Sequence, residues 1–396
     1  MSARPSHPGL PALPVRHRPS DTGRVQVQGR ILTDGIEAVV RGALDAGCDF
    51  FAGYPITPAS QILMAMMRDL PRHGGVAVQG EDEIASMGMC IGAAMAGRRV
   101  MTATSGPGMS LYSEQIGLAV MGEVPMVIVD VQRLGPATGG ATTVGQGDVQ
   151  FARWGTSGGY PMIVLAPWSV PSTYRLTMEA FDLAERFRTP VILLTDKELA
   201  LTSTTVDSLV DVPVAVRSRA VDTGDTPPYR VEASDDVPPM RPYGLGPAVR
   251  FTGSTHDEDA MITKDPGVIH SLNSHLRDKV EQHRDEIERV HTDLDPGSKV
   301  LLVSYGVSAA ACLEAARQAR SGGDAVSVAV VESLWPVPES ALGEALAGVD
   351  TVLVAELNHG QYRKEIESLA SGRRVIGVHR VDGRQITPDQ ILEAAR

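Results

Sequence analysis

Cysteine is scarce in this sequence of 396 residues, which contains only Cys48, Cys90 and Cys312. These three positions are far apart, and no two of them have the Cys-x-x-Cys spacing of metal and redox motifs. We therefore expect neither a disulfide framework nor an iron–sulfur cluster held by this chain alone. A chain with so few thiols is typical of a reducing compartment, and the sequence predicts a cytoplasmic protein.

Long apolar runs and an excess of positive charge are also lacking. No segment approaches the roughly 18 consecutive apolar residues of a membrane-spanning helix. The formal net charge is −12, and nucleic acids and anionic membranes bind basic surfaces, so neither is expected as a partner. Residues 1–25 contain five prolines and lack the apolar centre of a signal peptide, so we expect residues 1–27 to form a disordered tail.

Helix and strand patterns alternate along most of the remaining chain. An amphipathic helix is predicted over residues 36–44, with Asp34 as its N-cap. Short apolar segments, of which residues 191–195 are an example, read as buried strands between further helices. This alternation predicts an α/β fold with a mostly parallel sheet.

Changes in composition divide the chain into domains. Residues 28–203 form the first predicted α/β domain. Residues 204–293 begin with a polar, proline-rich stretch that predicts an irregular excursion, and a charged helix is expected over residues 270–292. Residues 294–396 carry a second, smaller α/β pattern, in which residues 334–338 read as a connecting loop.

The most unusual stretch runs from Gly80 to Gly108. Three acids, Glu81, Asp82 and Glu83, open a predicted helix that consists largely of glycine, alanine and serine. Each interior glycine costs a helix roughly 1 kcal/mol relative to alanine, so close approach of a ligand or of another backbone is the expected compensation. A short buried strand and the turn Ser-Gly-Pro-Gly follow.

Two further stretches have the composition of functional loops. In GYPITPAS, residues 53–60, two prolines hold the backbone extended and present Thr57 just before a helix. In DVQRLGPATGG, residues 130–140, Arg133 follows a strongly apolar strand. Ligands of open α/β sheets bind beyond the carboxyl ends of strands, which is where this arginine is expected to lie.

Taken together, these three stretches resemble the α subunit of the 2-oxoacid:ferredoxin oxidoreductases, most of all those specific for 2-oxoglutarate. The resemblance covers residues from about 29 to the C-terminus. It implies a thiamine-diphosphate-binding (pyrimidine) domain with a mostly parallel sheet, and a smaller α/β domain like the C-terminal domain of transketolase. It also implies that thiamine diphosphate is the cofactor.

The resemblance assigns roles to individual residues. Glu83 is expected to donate a hydrogen bond to the aminopyrimidine ring of thiamine, and a carboxyl group stays neutral for that task only in an apolar, partly buried site. Thr57 and Arg133 are expected to bind the 2-oxo acid, because arginine can hold a carboxylate through two hydrogen bonds. The other residues expected to contact the cofactor are Tyr54, Pro55, Ile56, Ser105 and Gly106.

Simpler explanations exist for each of these residues. Glu81 is the rival of Glu83, and either acid could merely favour the start of a helix. Arg133 could form a surface ion pair, Thr57 could cap a helix, and Ser-Gly-Pro-Gly could be a simple turn. His256 and His359 lie in polar loops and are weaker candidates for a polar role.

The sequence lacks the Gly-Asp-Gly segment with which thiamine enzymes hold the Mg²⁺ of the diphosphate. No metal site is therefore expected in this chain. The resemblance implies a β subunit that carries the diphosphate-binding domain, Mg²⁺ and the iron–sulfur cluster, and it leaves room for a separate γ subunit. Coenzyme A, ferredoxin and a 2-oxo acid are the expected reaction partners.

The predicted function is oxidative decarboxylation of a 2-oxo acid, with 2-oxoglutarate as the leading substrate and pyruvate or a branched-chain 2-oxo acid as alternatives. Two rival classes stay open at this point. One is a non-oxidative thiamine enzyme, either a decarboxylase or a transketolase-like transferase. The other is a regulatory subunit without catalysis, against which the presence of Thr57, Glu83 and Arg133 argues.

Overall fold

The computed structural model describes residues 26–27, 30–209 and 213–396. The tail expected over residues 1–27 lies largely outside these ranges, but its last two residues form a strand that pairs with the next one.

The elements of the first domain are, in chain order, β1 (Gln26–Val27), β2 (Arg30–Thr33), α1 (Gly35–Asp45), β3 (Phe50–Gly53), α2 (Ser60–Asp69), β4 (Val76–Gln79), α3 (Glu83–Met95), β5 (Val100–Thr104), α4 (Gly106–Met121), β6 (Met126–Gln132), α5 (Val149–Trp154), β7 (Ile163–Leu165), α6 (Val170–Phe187), β8 (Pro190–Asp196), α7 (Lys197–Leu201) and β9 (Thr204–Val206).

A seven-stranded sheet forms the centre of the first domain, and its strand order determines where the site lies. Strands β7, β8, β6, β5, β3 and β4 are adjacent in that order and parallel. Apolar residues on one face pack against α1, α2 and α6, and those on the other face pack against α3 and α4. Because β3, β5 and β6 are neighbours, the loops that follow them meet at one edge of the sheet.

The second part of the chain contains the elements α8 (Pro266–Glu281), α9 (Arg284–Ile287), β10 (Val290–Asp293), β11 (Val300–Ser304), α10 (Ser308–Ser321), β12 (Val326–Val331), β13 (Ser333–Trp335), α11 (Glu339–Ala345), β14 (Thr351–Glu356), α12 (Arg363–Leu369), β15 (Arg374–His379) and α13 (Pro388–Ala395). A five-stranded sheet of order β10-β12-β11-β14-β15 organises it. Apart from β10, which is antiparallel, its strands are parallel, as the α/β pattern predicts.

Two local predictions are wrong. The helix expected over residues 270–292 ends at Glu281, and β10 follows because its backbone pairs with β12. Residues 334–338 were expected as a loop, but β13 (Ser333–Trp335) includes the first two of them and pairs antiparallel with β7 of the first domain. In both cases a distant strand supplies the hydrogen-bond partner, and no local pattern reports such a partner.

The expected irregular excursion lies between β9 and α8. Within the described part of residues 207–265 there is neither a helix nor a strand. Arginines of the excursion pair with acids of α6, as in Arg217–Asp182 and Arg219–Glu185, both at 2.8 Å. The excursion therefore packs along the first domain. Among the described residues, no helix is long and apolar enough to cross a membrane.

A buried charge cluster attaches α8 to the first domain. Lys279 of α8 donates to Glu123 at 2.9 Å, and His275 lies 3.0 Å from the same carboxylate oxygen. All three side chains are buried. Burial disfavours the charged carboxylate, but Lys279, Arg188 and His275 outweigh that effect and hold the pKa of Glu123 well below its ordinary value. The charges on α8 are thus not all on a solvated face.

Replacing Lys279 with methionine should destabilise the protein strongly, because Glu123 would remain buried without its main counter-charge. Breaking one side of such a buried pair costs about 3–5 kcal/mol. Chemical denaturation of the isolated chain measures the free energy of unfolding. The matched control is the double variant Glu123→Gln/Lys279→Met, which should recover a large part of the loss; equal stability of the single and double variants would contradict the pairing.

Candidate active site

Three loops converge at the carboxyl edge of the seven-stranded sheet, as their strand order requires. The segment after β3 carries Thr57, the segment after β5 opens α4, and Arg133 follows β6 directly. The prediction that Arg133 lies just beyond a strand end is confirmed. The three motifs, which are separated in sequence by tens of residues, therefore lie at one edge of the sheet.

Glu83 is the first residue of α3, and its side chain is buried with 7% exposure, whereas Glu81 is exposed. The N-cap is Asp82, whose Oδ1 accepts a hydrogen bond from the Ala85 amide at 2.7 Å. Asp82 thus already provides the acidic side chain that caps the N-terminus of α3. Burial of Glu83 therefore needs another explanation than helix capping, and it separates Glu83 from Glu81.

The Ser-Gly-Pro-Gly segment is the beginning of α4 rather than a simple turn. A Cβ atom at Gly108 would overlap the hydroxyl of Thr104 and lie 2.9 Å from Cγ and 3.2 Å from Oε1 of Glu83. Glycine at this position therefore makes the space that the Glu83 carboxyl group occupies. Ser105 directly precedes α4. Its hydroxyl oxygen is buried and has no hydrogen-bond partner within the described residues.

Arg133 is buried, with 6% exposure, and connects two of the loops. Its Nη1 donates to the carbonyl oxygen of Thr57 at 2.6 Å, while its Nε has no partner among the residues that the structure describes. A surface ion pair is therefore excluded as the role of Arg133. The guanidinium group keeps hydrogen-bonding capacity for a carboxylate.

Thr57 itself has an exposed side chain. It does not cap α2, whose N-cap is Ala59, so the capping explanation of this threonine is wrong. Tyr54 and Pro55 are also exposed and Ile56 is partly buried. The loop thus presents a polar side chain and a small apolar surface at the sheet edge.

The exposed faces of α3 and α4 lie beside Glu83. These helices pack against each other, and Gln115 of α4 donates to the Ile84 carbonyl oxygen at 3.0 Å. Ile84 and Leu111 are nevertheless 48% and 46% exposed. Gly88 and Gly92 of α3 are exposed too, and a Cβ at Gly92 would meet nothing within 4 Å. The small-residue surface of α3 is therefore uncovered in this chain.

Two aspartates at the same edge, of which Asp130 is buried and Asp148 is partly buried, were not predicted. Asp130 is fully buried at the end of β6, and neither carboxylate oxygen has a partner within the described ranges. Burial, together with repulsion from Asp148, raises the pKa of Asp130 well above its ordinary value. Burial also raises the pKa of Asp148 to about 6, against the lowering effect of the Arg133 guanidinium. Asp148 lies in a glycine-rich segment, which was the only signal for it in the sequence.

The two histidine candidates have different positions. His256 is buried, with its ring nitrogens near the carbonyl oxygens of Asp257 and Met121 at 2.8 and 3.3 Å, which is a structural role. His359 is exposed. In its loop, Asn358 and Gln361 make the polar contacts to the first domain. No group of three or more histidine, cysteine or acidic side chains in the described ranges is placed to hold a metal ion.

Comparison with known families agrees with this architecture. Residues 41–274 match the model described as pyruvate flavodoxin/ferredoxin oxidoreductase, thiamine diphosphate-binding. Residues 298–391 match pyruvate:ferredoxin oxidoreductase core domain II. An inactive split-gene transketolase has a similar fold at 14% identity, with a TM-score of 0.51. The class is thus an α/β protein with the fold of thiamine-diphosphate enzymes.

Individual relatives narrow this class. The chain is 38% identical over 364 residues to 2-oxoglutarate synthase subunit KorA of Methanothermobacter thermautotrophicus, which covers 90% of this chain and 96% of that protein. It is 40% identical over 362 residues to KorA of Archaeoglobus fulgidus, with 91% and 97% coverage. Ketoisovalerate oxidoreductase subunit VorB of Methanothermobacter marburgensis is 35% identical over 368 residues, with 92% and 97% coverage.

A solved structure is similar as well. The 2-oxoglutarate:ferredoxin oxidoreductase from Magnetococcus marinus, with 2-oxoglutarate, coenzyme A and succinyl-CoA bound, superposes with a TM-score of 0.85 at 31% identity. The match covers 93% of this chain but only 65% of that one. The chain belongs to the 2-oxoacid:ferredoxin oxidoreductase family, as an oxidoreductase subunit of the α type.

Asp130→Asn should stabilise the protein at pH 8 by on the order of 1–3 kcal/mol, because each unit by which the folded-state pKa of a carboxyl group is raised costs about 1.4 kcal/mol once the group is ionised. The folded-state pKa of Asp130 is raised, so the carboxyl group costs stability increasingly as the pH rises above its unfolded value. The gain should therefore be smaller at pH 5. Thermal unfolding of the isolated chain at both pH values measures it.

The matched control is Asp196→Asn. Asp196 is equally buried, but it accepts hydrogen bonds from the amides of Leu199 and Val307 at 3.0 and 2.8 Å. Asparagine would disturb these bonds, so this variant should be destabilised at both pH values. A gain for Asp130→Asn that does not grow with pH would show that its burial carries no electrostatic cost.

Proposed function

We propose that this chain binds the pyrimidine half of thiamine diphosphate and the 2-oxo acid in a 2-oxoglutarate:ferredoxin oxidoreductase. The reaction is 2-oxoglutarate, coenzyme A and oxidised ferredoxin to succinyl-CoA, CO₂ and reduced ferredoxin. The observation that carries the proposal is that a buried Glu83, packed against the start of α4, and the hydrogen-bonded Arg133–Thr57 pair lie at the same carboxyl edge of the sheet. Similarity to the KorA subunits favours 2-oxoglutarate as the substrate.

The groups around Glu83 fit the pyrimidine ring of the cofactor. The carboxyl group is buried against Gly108, the Ser105 hydroxyl lacks a partner within the described chain, and glycines keep the helix surface free of bulk. Glu83 would hold a proton towards the ring nitrogen, and Tyr54, Pro55, Ile56 and Gly106 would line the same side. Thiamine diphosphate, when bound, supplies the nucleophilic carbon and the electron sink for decarboxylation.

Arg133 and Thr57 would hold the substrate. The guanidinium group can bind the carboxylate next to the 2-oxo group and compensate its desolvation. The hydroxyl of Thr57 can donate a hydrogen bond to the same carboxylate or to the 2-oxo oxygen. The hydrogen bond between Arg133 and the Thr57 carbonyl keeps these two groups in one arrangement.

A partner subunit would complete the site. The uncovered surface of α3 and α4, with exposed Ile84 and Leu111 beside Glu83, supports a subunit interface there. We infer that a β subunit brings the diphosphate-binding domain, Mg²⁺ and the iron–sulfur cluster, with ferredoxin as acceptor and a γ subunit as a further component. A cytoplasmic location is part of this proposal, and the three buried free cysteines are consistent with it.

A branched-chain 2-oxo acid is the second candidate substrate, because the VorB subunit is similar at 35% identity over most of the chain. The distinguishing assay uses the complex purified from its native cells through a tag on this chain. It follows reduction of ferredoxin with coenzyme A and either 2-oxoglutarate, pyruvate or 2-oxoisovalerate. We expect the highest kcat/KM for 2-oxoglutarate. A higher value for pyruvate or 2-oxoisovalerate would identify that acid as the substrate instead. Absence of activity with all three acids would contradict the proposed oxidoreductase function.

Glu83→Gln should lower turnover by roughly a hundredfold or more, which is the order of a lost acid–base function. The matched control is Glu81→Gln, which changes an exposed acid two residues away and should leave kcat within about twofold. Both variants are assayed as assembled complexes, with assembly checked by size-exclusion chromatography. Equal losses in the two variants would remove Glu83 from the chemistry.

Arg133→Met should lower kcat/KM for the 2-oxo acid by about thirtyfold or more, since truncating one partner of a buried charged pair costs roughly 2–5 kcal/mol. Affinity for thiamine diphosphate should stay almost unchanged. Arg133→Lys should restore only part of the activity, because the planar two-point contact is lost. Normal substrate kinetics, or loss of the cofactor, in the methionine variant would contradict this role.

A further inference from the structure

Gln146 is a fully buried residue of the first domain whose polar atoms all bond to the C-terminal domain. Its side-chain oxygen accepts from the Ser308 hydroxyl at 2.9 Å and from the Leu357 amide at 3.0 Å. Its side-chain nitrogen donates to the Tyr305 carbonyl oxygen at 3.2 Å. Its backbone N–H donates to Leu357, and its carbonyl oxygen accepts from Asn358 at 2.7 Å.

The C-terminal domain makes room for this side chain. Gly306 follows the strand β11 and has a φ of 57°. A Cβ atom there would overlap the side-chain nitrogen of Gln146 and lie 2.7 Å from the carboxylate of Asp196. Gln361 strengthens the same contact by donating to the Gly147 carbonyl oxygen at 2.7 Å. The segment around Gln146 is therefore fixed by a domain that supplies none of the proposed catalytic groups.

Asp148, two residues after Gln146 in the chain, connects this domain contact to the candidate site. The backbone N–H of Asp148 donates to the side chain of Gln132, the residue before Arg133, at 3.1 Å. The carboxylate of Asp148 lies against the start of α4, where a Cβ at Gly106 would be 3.0 Å from both oxygens. Asp148 also interacts electrostatically with the Arg133 guanidinium. Fixing Gln146 thus fixes Asp148, whose backbone is hydrogen-bonded to the residue directly before Arg133.

We propose that Gln146 and Asp148 are positioning residues through which the C-terminal domain holds Arg133 in place for the substrate. The proposal rests on the proposed function and gives the C-terminal domain a part in it. Gln146 contacts neither the substrate nor the cofactor; its hydrogen bonds hold Asp148 in place. Asp148 in turn holds Gln132, the residue before Arg133, through the hydrogen bond from its backbone N–H, and so restrains the backbone from which the guanidinium extends.

The test is a double-variant cycle on the assembled complex, with kinetics measured for 2-oxoglutarate. Gln146→Met keeps the side-chain volume but removes its hydrogen bonds, and it should lower kcat/KM about tenfold, chiefly through KM, with cofactor affinity within about twofold. Combined with Arg133→Met, it should add almost nothing. The control is Trp168→Phe, which removes a different hydrogen bond to the C-terminal domain, from Trp168 to Glu332 at 2.9 Å, and should leave kcat/KM unchanged.

Failure of the positioning role can be distinguished from failure of the proposed function. Unchanged kcat/KM in Gln146→Met, or the same loss in the wild-type and Arg133→Met backgrounds, would overturn the positioning role. A loss of the same size in Trp168→Phe would show that any weakening of the domain contact suffices, and would overturn it as well. If the wild-type complex oxidises no 2-oxo acid, the proposed function fails instead.

A second variant applies if Gln146→Met does not assemble. Gln146→Glu keeps the acceptor for Ser308 and Leu357, but the ionised carboxylate would face the Tyr305 carbonyl oxygen and the Asp196 carboxylate. These are the groups that the lost N–H contacted, at 3.2 and 3.4 Å. Protonation restores a donor, so the loss of kcat/KM relative to wild type should be smaller at pH 6 than at pH 8. A loss independent of pH would contradict the assigned hydrogen bonds.

Discussion

The hydrogen bond from Arg133 to the Thr57 carbonyl oxygen joins loops that are far apart in sequence, and the candidate site depends on it. It is possible because β3 and β6 lie on either side of β5 in a parallel sheet, so that their carboxyl ends share one edge. A buried guanidinium group needs compensation. The Thr57 carbonyl and the charge of Asp148 provide part of it, and a substrate carboxylate would provide the rest.

Close packing of small residues is the second requirement of this site. Glu83 can lie beneath the start of α4 only because Gly108 has no side chain there, and Asp148 can approach the same helix only because of Gly106. The cost of glycine in a helix is thereby explained by the carboxyl groups that these positions admit. The exposed glycines of α3 admit no such group within the described chain, and in the proposed function they leave a flat surface for the partner subunit.

Much of the fold and part of the site could be predicted from the sequence. The alternation of helices and strands predicted the mostly parallel sheets, and the proline- and glycine-rich stretches located the segments that carry Thr57, Glu83 and Arg133. The strands β10 and β13 could not be predicted, because their partners are distant strands. Asp130 and Asp148 were missed for a similar reason: neither stands out in the sequence, and only the fold brings the two acids close enough to repel each other.

In the proposed function, this chain provides the pyrimidine and substrate side of a thiamine site whose diphosphate side belongs to a partner. The most direct test is calorimetric titration of thiamine diphosphate with Mg²⁺ into the isolated chain and into the native complex stripped of cofactor. We expect tight, Mg²⁺-dependent binding by the complex and no saturable binding by the chain alone. Tight Mg²⁺-dependent binding by the isolated chain would contradict it.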